Sequence, residues 1–222
     1  MSPKSCSQGW VRFEFHLEGI SELYMDAVPR EILEQIRKKI YRPGEHNLNL
    51  SPKDKAAQKI HHGSNNEIGL PRKHIIGCLC RAAKNVKLPG TRHNINSPTY
   101  GNMLTQFIRI DQPFFRLFTP KIGVKKEGWK VQIFKGIILA LGEKKSIRLI
   151  RPRFNNWTIK GIIRVNLDVI LEETIKKLFQ TAGTVSGLGP MRPGLGGTGH
   201  AGMFKLTKWK KVEELASKKV AA

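Results

Sequence analysis

Apolar and polar positions alternate without a break along Val11-Arg12-Phe13-Glu14-Phe15-His16-Leu17-Glu18. Val11, Phe13, Phe15 and Leu17 share one side of an extended chain, and the charged or polar residues between them share the other. A two-residue period of this kind predicts a half-buried strand. The period then changes. After Pro29, Ile32, Ile36 and Ile40 recur every four residues with Leu33 beside them, which predicts a helix. Residues 41–51 read as a loop and 52–60 as a short helix, and His61-His62-Gly63-Ser64-Asn65-Asn66 breaks the chain. Pro71 marks the first turn of a second helix, with Ile75, Ile76, Leu79, Ala82 and Ala83 on its buried face.

Residues 87–103 are rich in Pro, Gly, Asn and Ser and read as an exposed loop; 107–110 read as a strand. The arms of a hairpin are expected at 129–141 and 146–150, joined across Gly142-Glu143. A further strand places Trp157, Ile159, Ile163 and Val165 on one face and Thr158, Lys160, Ile162 and Arg164 on the other. Asp168 is the expected cap of a third helix whose stripe is Leu171, Ile175, Leu178, Phe179 and Ala182, with Gly183 as its C-cap. A glycine-rich loop and a last strand over 203–209 follow. This order predicts an α+β fold of the split βαβ or ferredoxin-like class, an antiparallel sheet with its helices on one face. One domain is expected over 1–210, with large loop insertions at about 41–67 and 87–128, and a basic tail over 211–222.

Charge decides the partner class. Lys and Arg number 39 against 17 Asp and Glu, a formal net charge of +22. Residues 1–50 hold seven of each sign, so the whole excess lies in 51–222. An excess spread through folded segments implies basic faces, the footprint of nucleic acid. The three cysteines make no metal pattern, and no cofactor or metal is expected; Cys78 reads as a small buried hydrophobe. Few cysteines in odd number, no signal peptide and no apolar run long enough for a bilayer point to the cytoplasm and away from a membrane.

Residues 182–206, AGTVSGLGPMRPGLGGTGHAGMFKL, hold eight glycines around Arg192. Glycine permits positive φ and close backbone approach, and successive N–H groups form anion-binding nests, so this loop is expected to meet phosphates with Arg192 as a clamp. The alternative is a structural corner whose Arg192 pairs with a carboxylate. No Gly-Lys-Ser/Thr follows, so the loop is not a nucleotide-hydrolysing phosphate loop.

Three stretches carry a family resemblance. Ile68-Gly69-Leu70-Pro71 through Gly77-Cys78-Leu79, Ile150-Arg151-Pro152-Arg153-Phe154-Asn155-Asn156-Trp157, and Ala182-Gly183 through Arg192-Pro193 with Gly202-Met203-Phe204 resemble elements of the repeat-associated mysterious protein (RAMP) superfamily. The match is to backbone subunits of CRISPR effector complexes and their stand-alone phage or prophage relatives. The resemblance implies an RRM-like fold and RNA binding along a repeating protein filament, with copies of itself and other effector subunits as partners. The chain has no counterpart of the acidic loop by which some backbone subunits cut target RNA.

The expected function is therefore a non-catalytic subunit that coats a guide RNA, a single strand, through its phosphates. The expected contacts are Arg72, Lys73, Arg81 and Lys84 on the second helix; Lys121, Lys125 and Lys126 in a basic turn; Arg151 and Arg153 beside Phe154 and Trp157; and Gly187, Gly189, Arg192, Gly196 and Gly197 in the glycine loop. Two alternatives stand beside it. One is a metal-independent endoribonuclease of the same superfamily, in which His61 or His62 would deprotonate a 2′-hydroxyl. The other is a phage protein that binds single-stranded DNA.

Overall fold

A computed structural model describes residues 9–40, 50–99, 101–119, 128–140, 143–193 and 199–212. The elements in chain order are β1 (Trp10–Gly19), β2 (Leu23–Tyr24), α1 (Arg30–Arg37), α2 (Pro52–Ala57), β3 (Gly69–Pro71), α3 (Arg72–Ala82), β4 (Asn96–Ser97), β5 (Gly101–Asn102), α4 (Leu104–Phe107), β6 (Ile108–Arg109), β7 (Phe114–Phe118), β8 (Lys130–Ala140), β9 (Glu143–Phe154), β10 (Thr158–Asn166), α5 (Glu172–Thr181) and β11 (Phe204–Val212). A π-helical turn, Ala182–Ser186, continues α5.

The main sheet has the order β11-β1-β10-β7-β3, with β6 also pairing to β10. Its pairings are antiparallel. The succession β1, α3, β7, β10, α5, β11 and the order β11-β1-β10-β7 make a ferredoxin-like α+β fold, as the sequence predicts. Alternation sorts the faces. Phe13, Phe15 and Leu17 of β1, Phe115 and Leu117 of β7, and Ile159, Ile163 and Val165 of β10 are buried together with Ile75 and Leu79 of α3 and Ile175, Leu178 and Phe179 of α5. The Phe15 ring lies 5.0 Å from Phe179 and 5.9 Å from Phe115, and Trp209 stacks on Phe13 at 4.8 Å.

β8 and β9 form a long hairpin inserted between β7 and β10, and β2 adds to it in the order β2-β9-β8. The hairpin is longer than its expected arms because pairing continues to Lys130 opposite Arg153. At its root Phe154 and Trp157 are fully buried, and the Trp157 indole donates to the Ser21 carbonyl at 2.8 Å. Both aromatics are therefore core and offer no stacking surface.

Several local expectations are corrected. Leu171, not Asp168, occupies the N-cap position of α5, and the Asp168 carboxylate accepts the Gly9 N–H at 3.1 Å. Gly183 is no C-cap, because the helix runs on into the π turn. Residues 104–107 form α4, so the strand expected at 107–110 shrinks to β6. β7 carries the sequence FFRLF, whose flanking aromatics mask its alternation. The helix expected after Pro29 is α1, and its apolar stripe lies open: Leu33 and Ile36 are exposed, as is Ile40 just beyond the helix. β11 extends to Val212, so residues 211 and 212 pair with β1 instead of beginning a tail.

Candidate nucleic-acid interface

Helix α3 starts at Pro71, which fixes φ at −59° and leaves the first turn without a side-chain cap or an acidic residue. Arg72, Lys73 and His74 fill that turn. Arg72 donates to the Ile110 carbonyl at 2.9 Å, which ties the helix start to the chain after β6. Lys73 is exposed and His74 is half-buried. Near the other end, Arg81 is half-buried and Lys84 lies exposed beyond the helix, its carbonyl taken by the Asn94 side chain at 2.6 Å. Cys78, the buried hydrophobe expected, has its thiol pushed up to about 12 by burial.

The glycine loop packs against this helix, and its glycines serve closure. A side chain at Gly183 would meet the Phe204 carbonyl, and one at Gly202 (φ +68°) would meet the Leu188 carbonyl. Gly187 and Gly189 have φ of +61° and +72° and are buried. The Gly187 N–H is given to Ala182 O at 2.8 Å, and Leu188 N–H to Gly202 O at 2.9 Å. A backbone donor already engaged inside the fold is not free for a ligand. The nest expected at Gly187 is thus closed, and the two glycines shape the loop instead of lining a surface.

What the loop does present is guanidinium. Arg192 Nη1 donates to the Gly189 carbonyl at 2.6 Å, and Arg81 Nη2 to the Gly187 carbonyl at 3.5 Å. Among the described residues neither pairs with a carboxylate, so the structural-corner alternative takes a different form from the one expected. Burial and the neighbouring Arg81 charge push Arg192 below its ordinary value.

The turn ahead of β3 adds an imidazole. His61 meets His74 edge to face, with ring centroids 4.8 Å apart and an interplanar angle of 71°. Burial, then His61, Lys73, Arg192 and Arg81, push His74 down to about 4. Burial, then Lys73, push His61 down, against the pull of Asp26. Lys73, His74, Arg81, Arg192 and His61 are thus one electrostatic cluster drawn from three parts of the chain. His61 Nε2 and Arg81 Nε are buried without a hydrogen-bond partner. Among the described residues no carboxylate forms an ion pair with Lys73, Arg81 or Arg192. His62 stands apart, exposed, with Nδ1 3.4 Å from the Asn66 carbonyl.

The other expected contacts divide. Arg151 is committed to the fold: two of its nitrogens reach Asp26 Oδ2, at 3.2 and 2.8 Å, and its side chain is 11% exposed. Burial raises the Asp26 carboxyl, and the Arg151 hydrogen bond and the Lys59 charge outweigh it, so the group ends below its usual range. Arg153 donates to Gln132 across the hairpin at 3.2 Å. Lys121, Lys125, Lys126, Gly196 and Gly197 lie outside the described residues.

Two groups were not singled out from sequence. His74 sits inside a helix stripe, where spacing does not mark it, and only the fold brings it to His61. On the open face of the sheet, Arg116 and Lys160 lie 5.3 and 5.6 Å from the Phe118 ring, free of ion pairs among the described residues. Elsewhere on that face Glu14 pairs with Lys208 at 2.8 Å and Glu18 with Lys205 at 3.2 Å. Among the described residues no three His, Cys, Asp or Glu side chains gather as metal ligands, and no helix is long and apolar enough to cross a membrane.

No protein-family model and no curated protein matches this chain. Among solved structures it is similar to a chain in a cryo-EM structure of the Type III-B Cmr-beta bound to cognate target RNA, with a TM-score of 0.50 and 12% sequence identity. The match covers 92% of this chain and 61% of that one, so this chain spans about three-fifths of its neighbour's length. Identity that low carries the fold alone: the chain shares its α+β architecture with that chain.

Proposed function

We propose that this chain is a non-catalytic RNA-binding backbone subunit of a CRISPR-type ribonucleoprotein, which coats a guide RNA as several copies through phosphate contacts. The observation that carries this reading is that Arg81 and Arg192 meet at the glycine loop, on the Gly187 and Gly189 carbonyls, with exposed Lys73 at the start of the same helix as Arg81 and no carboxylate ion-paired to the three cations among the described residues. Cations gathered without counter-charge repel one another, and a polyanion relieves that repulsion. The net charge of +22 and a fold neighbour in an assembly bound to target RNA support the same class of ligand. The test is binding of labelled single-stranded RNA across a salt series. Affinity should fall linearly in log–log terms as counterions are released. Absence of binding near about 0.1 M salt would overturn the reading.

Two rivals have their own signatures. Equal or stronger binding of single-stranded DNA would favour the DNA-binding alternative, since 2′-hydroxyl contacts are what separate the two. The His61–His74 contact is the observation that favours a ribonuclease, because two imidazoles within reach can act as base and acid. Metal-independent cleavage that His61→Ala abolishes would establish that alternative.

A further inference from the structure

Resting on the reading that a single-stranded nucleic acid is the ligand, we infer that the open face of the sheet holds a second contact for it, in which an unpaired base stacks on Phe118 while Arg116 and Lys160 take the phosphates beside that base. The residues differ from those of the first contact, because α3 and α5 pack on the sheet's other face. Alternation along β7 turns Phe115 and Leu117 into the core and Arg116 and Phe118 outward, and Phe118 is 38% exposed. Two cations from neighbouring strands flank the ring. Arg116 Cζ lies 5.3 Å from its centroid and Lys160 Nζ 5.6 Å. Thr158 of β10 sits opposite Phe118, and Lys160 follows two residues along the same strand, so the three side chains form one patch. On its other side Arg116 faces Gly69 of β3, which lays no side chain over it.

Charge singles out this patch on the face. Glu14 is taken by Lys208 at 2.8 Å, Glu18 by Lys205 at 3.2 Å, and Asp111 by Arg164 at 2.6 Å. Among the described residues no carboxylate pairs with Arg116 or Lys160. Glu14, His16 and Ile162, at the middle of the central strands, offer no ring of comparable size, so stacking falls to Phe118. An acidic protein segment would answer the charge but not the flat face of the ring. A nucleotide in a single strand answers both, since every base has a π-face and is joined to phosphates on either side. Stacking reads no base edge, so this contact tolerates any sequence, and a duplex has no free base face to offer it.

The experiment compares two probes on the full chain at fixed salt. Oligoadenylate carries bases and phosphates; inorganic polyphosphate carries phosphates alone. Phe118→Leu keeps apolar bulk and removes the π-face, and Phe118→Trp keeps a ring. We expect Phe118→Leu to weaken oligoadenylate binding by about tenfold with polyphosphate binding unchanged, and Phe118→Trp to hold the wild-type affinity. Arg116→Gln and Lys160→Gln should weaken both probes and each reduce the salt slope by about one. Equal oligoadenylate affinity in the wild type and Phe118→Leu, or equal weakening of both probes, overturns the inference while the RNA reading stands. Self-association lost in Phe118→Leu, with oligoadenylate affinity intact, also overturns it and makes the patch a contact between copies. If oligoadenylate binding needs Phe118 but is unchanged in Arg192→Ala, the sheet contact stands and the contact at α3 and the glycine loop falls. A wild type that does not bind oligoadenylate removes both.

Discussion

His61 and His74 touch edge to face at 4.8 Å although they come from different elements, a turn and a helix start. The contact joins the turn before β3 to the helix start after it; Lys73 acts on both rings, and Arg192 and Arg81 on His74.

The first prediction concerns pH and the free protein. His74 holds about 4 in the fold, against an ordinary value near 6.5 in the unfolded chain. Between these values the unfolded chain binds a proton that the folded chain refuses, so stability falls as pH falls through this window. His61 is shifted in the same direction. Melting temperature should drop between about pH 7 and about pH 5, less steeply in His74→Asn, and saturating polyanion should flatten the drop. A melting temperature that rises on acidification would contradict the assignment.

Arg192→Ala should weaken RNA binding and reduce the salt slope by about one. Its partner is the Gly189 carbonyl and not a carboxylate, so the stability loss should stay near about 1 kcal/mol. Arg192→Lys keeps the charge without the fork and should recover part of the binding. A melting-temperature collapse in both variants would make Arg192 a purely structural residue.

Arg151 is expected to behave in the opposite way. Asp26→Ala strands a guanidinium that is 11% exposed, yet Asp26 itself is 37% exposed, so the destabilisation should be about 1–2 kcal/mol, between the exposed and buried limits. Arg151→Gln should lower stability with little change in RNA affinity. A double-mutant cycle against Asp26 checks the coupling. A large affinity loss in Arg151→Gln with normal stability would return this residue to the interface.

The glycines separate by their surroundings. Gly183→Ala and Gly202→Ala each drive a methyl into a backbone carbonyl that cannot step aside, and should destabilise by about 3 kcal/mol or more. Gly101 also has positive φ (+67°) but nothing near its missing side chain, so Gly101→Ala should cost only about 1–2 kcal/mol. Soluble yield and melting temperature distinguish the cases.

The sheet was legible where one face is dry and the other wet. β1 and β10 alternate cleanly, and their registry follows from that alternation. β7 was missed because Phe114 and Phe118 are apolar on the partly exposed side. The amphipathic spacing of α1 was read correctly as a helix, but periodicity reports a face and not what covers it, and Leu33 and Ile36 are exposed. In the site, the lysines and arginines of α3 were found from composition, but their lack of counter-charge is a three-dimensional fact. Arg151 shows the converse: its partner Asp26 lies far away in sequence and no spacing could announce it.

Phe118 and Thr158 sit opposite each other on adjacent strands, and the whole hairpin excursion leaves after the one and returns before the other. Its two ends therefore meet at a single junction, where Phe154 and Trp157 are fully buried, Trp129 packs against the core and Arg151 is tied to Asp26. An arm mounted in this way can lengthen, shorten or be exchanged over evolutionary time without shifting β7 or β10. Relatives of this protein should accordingly differ most in size between these two strands, while the sheet beneath, and the cationic cluster it supports from its other face, keep their dimensions.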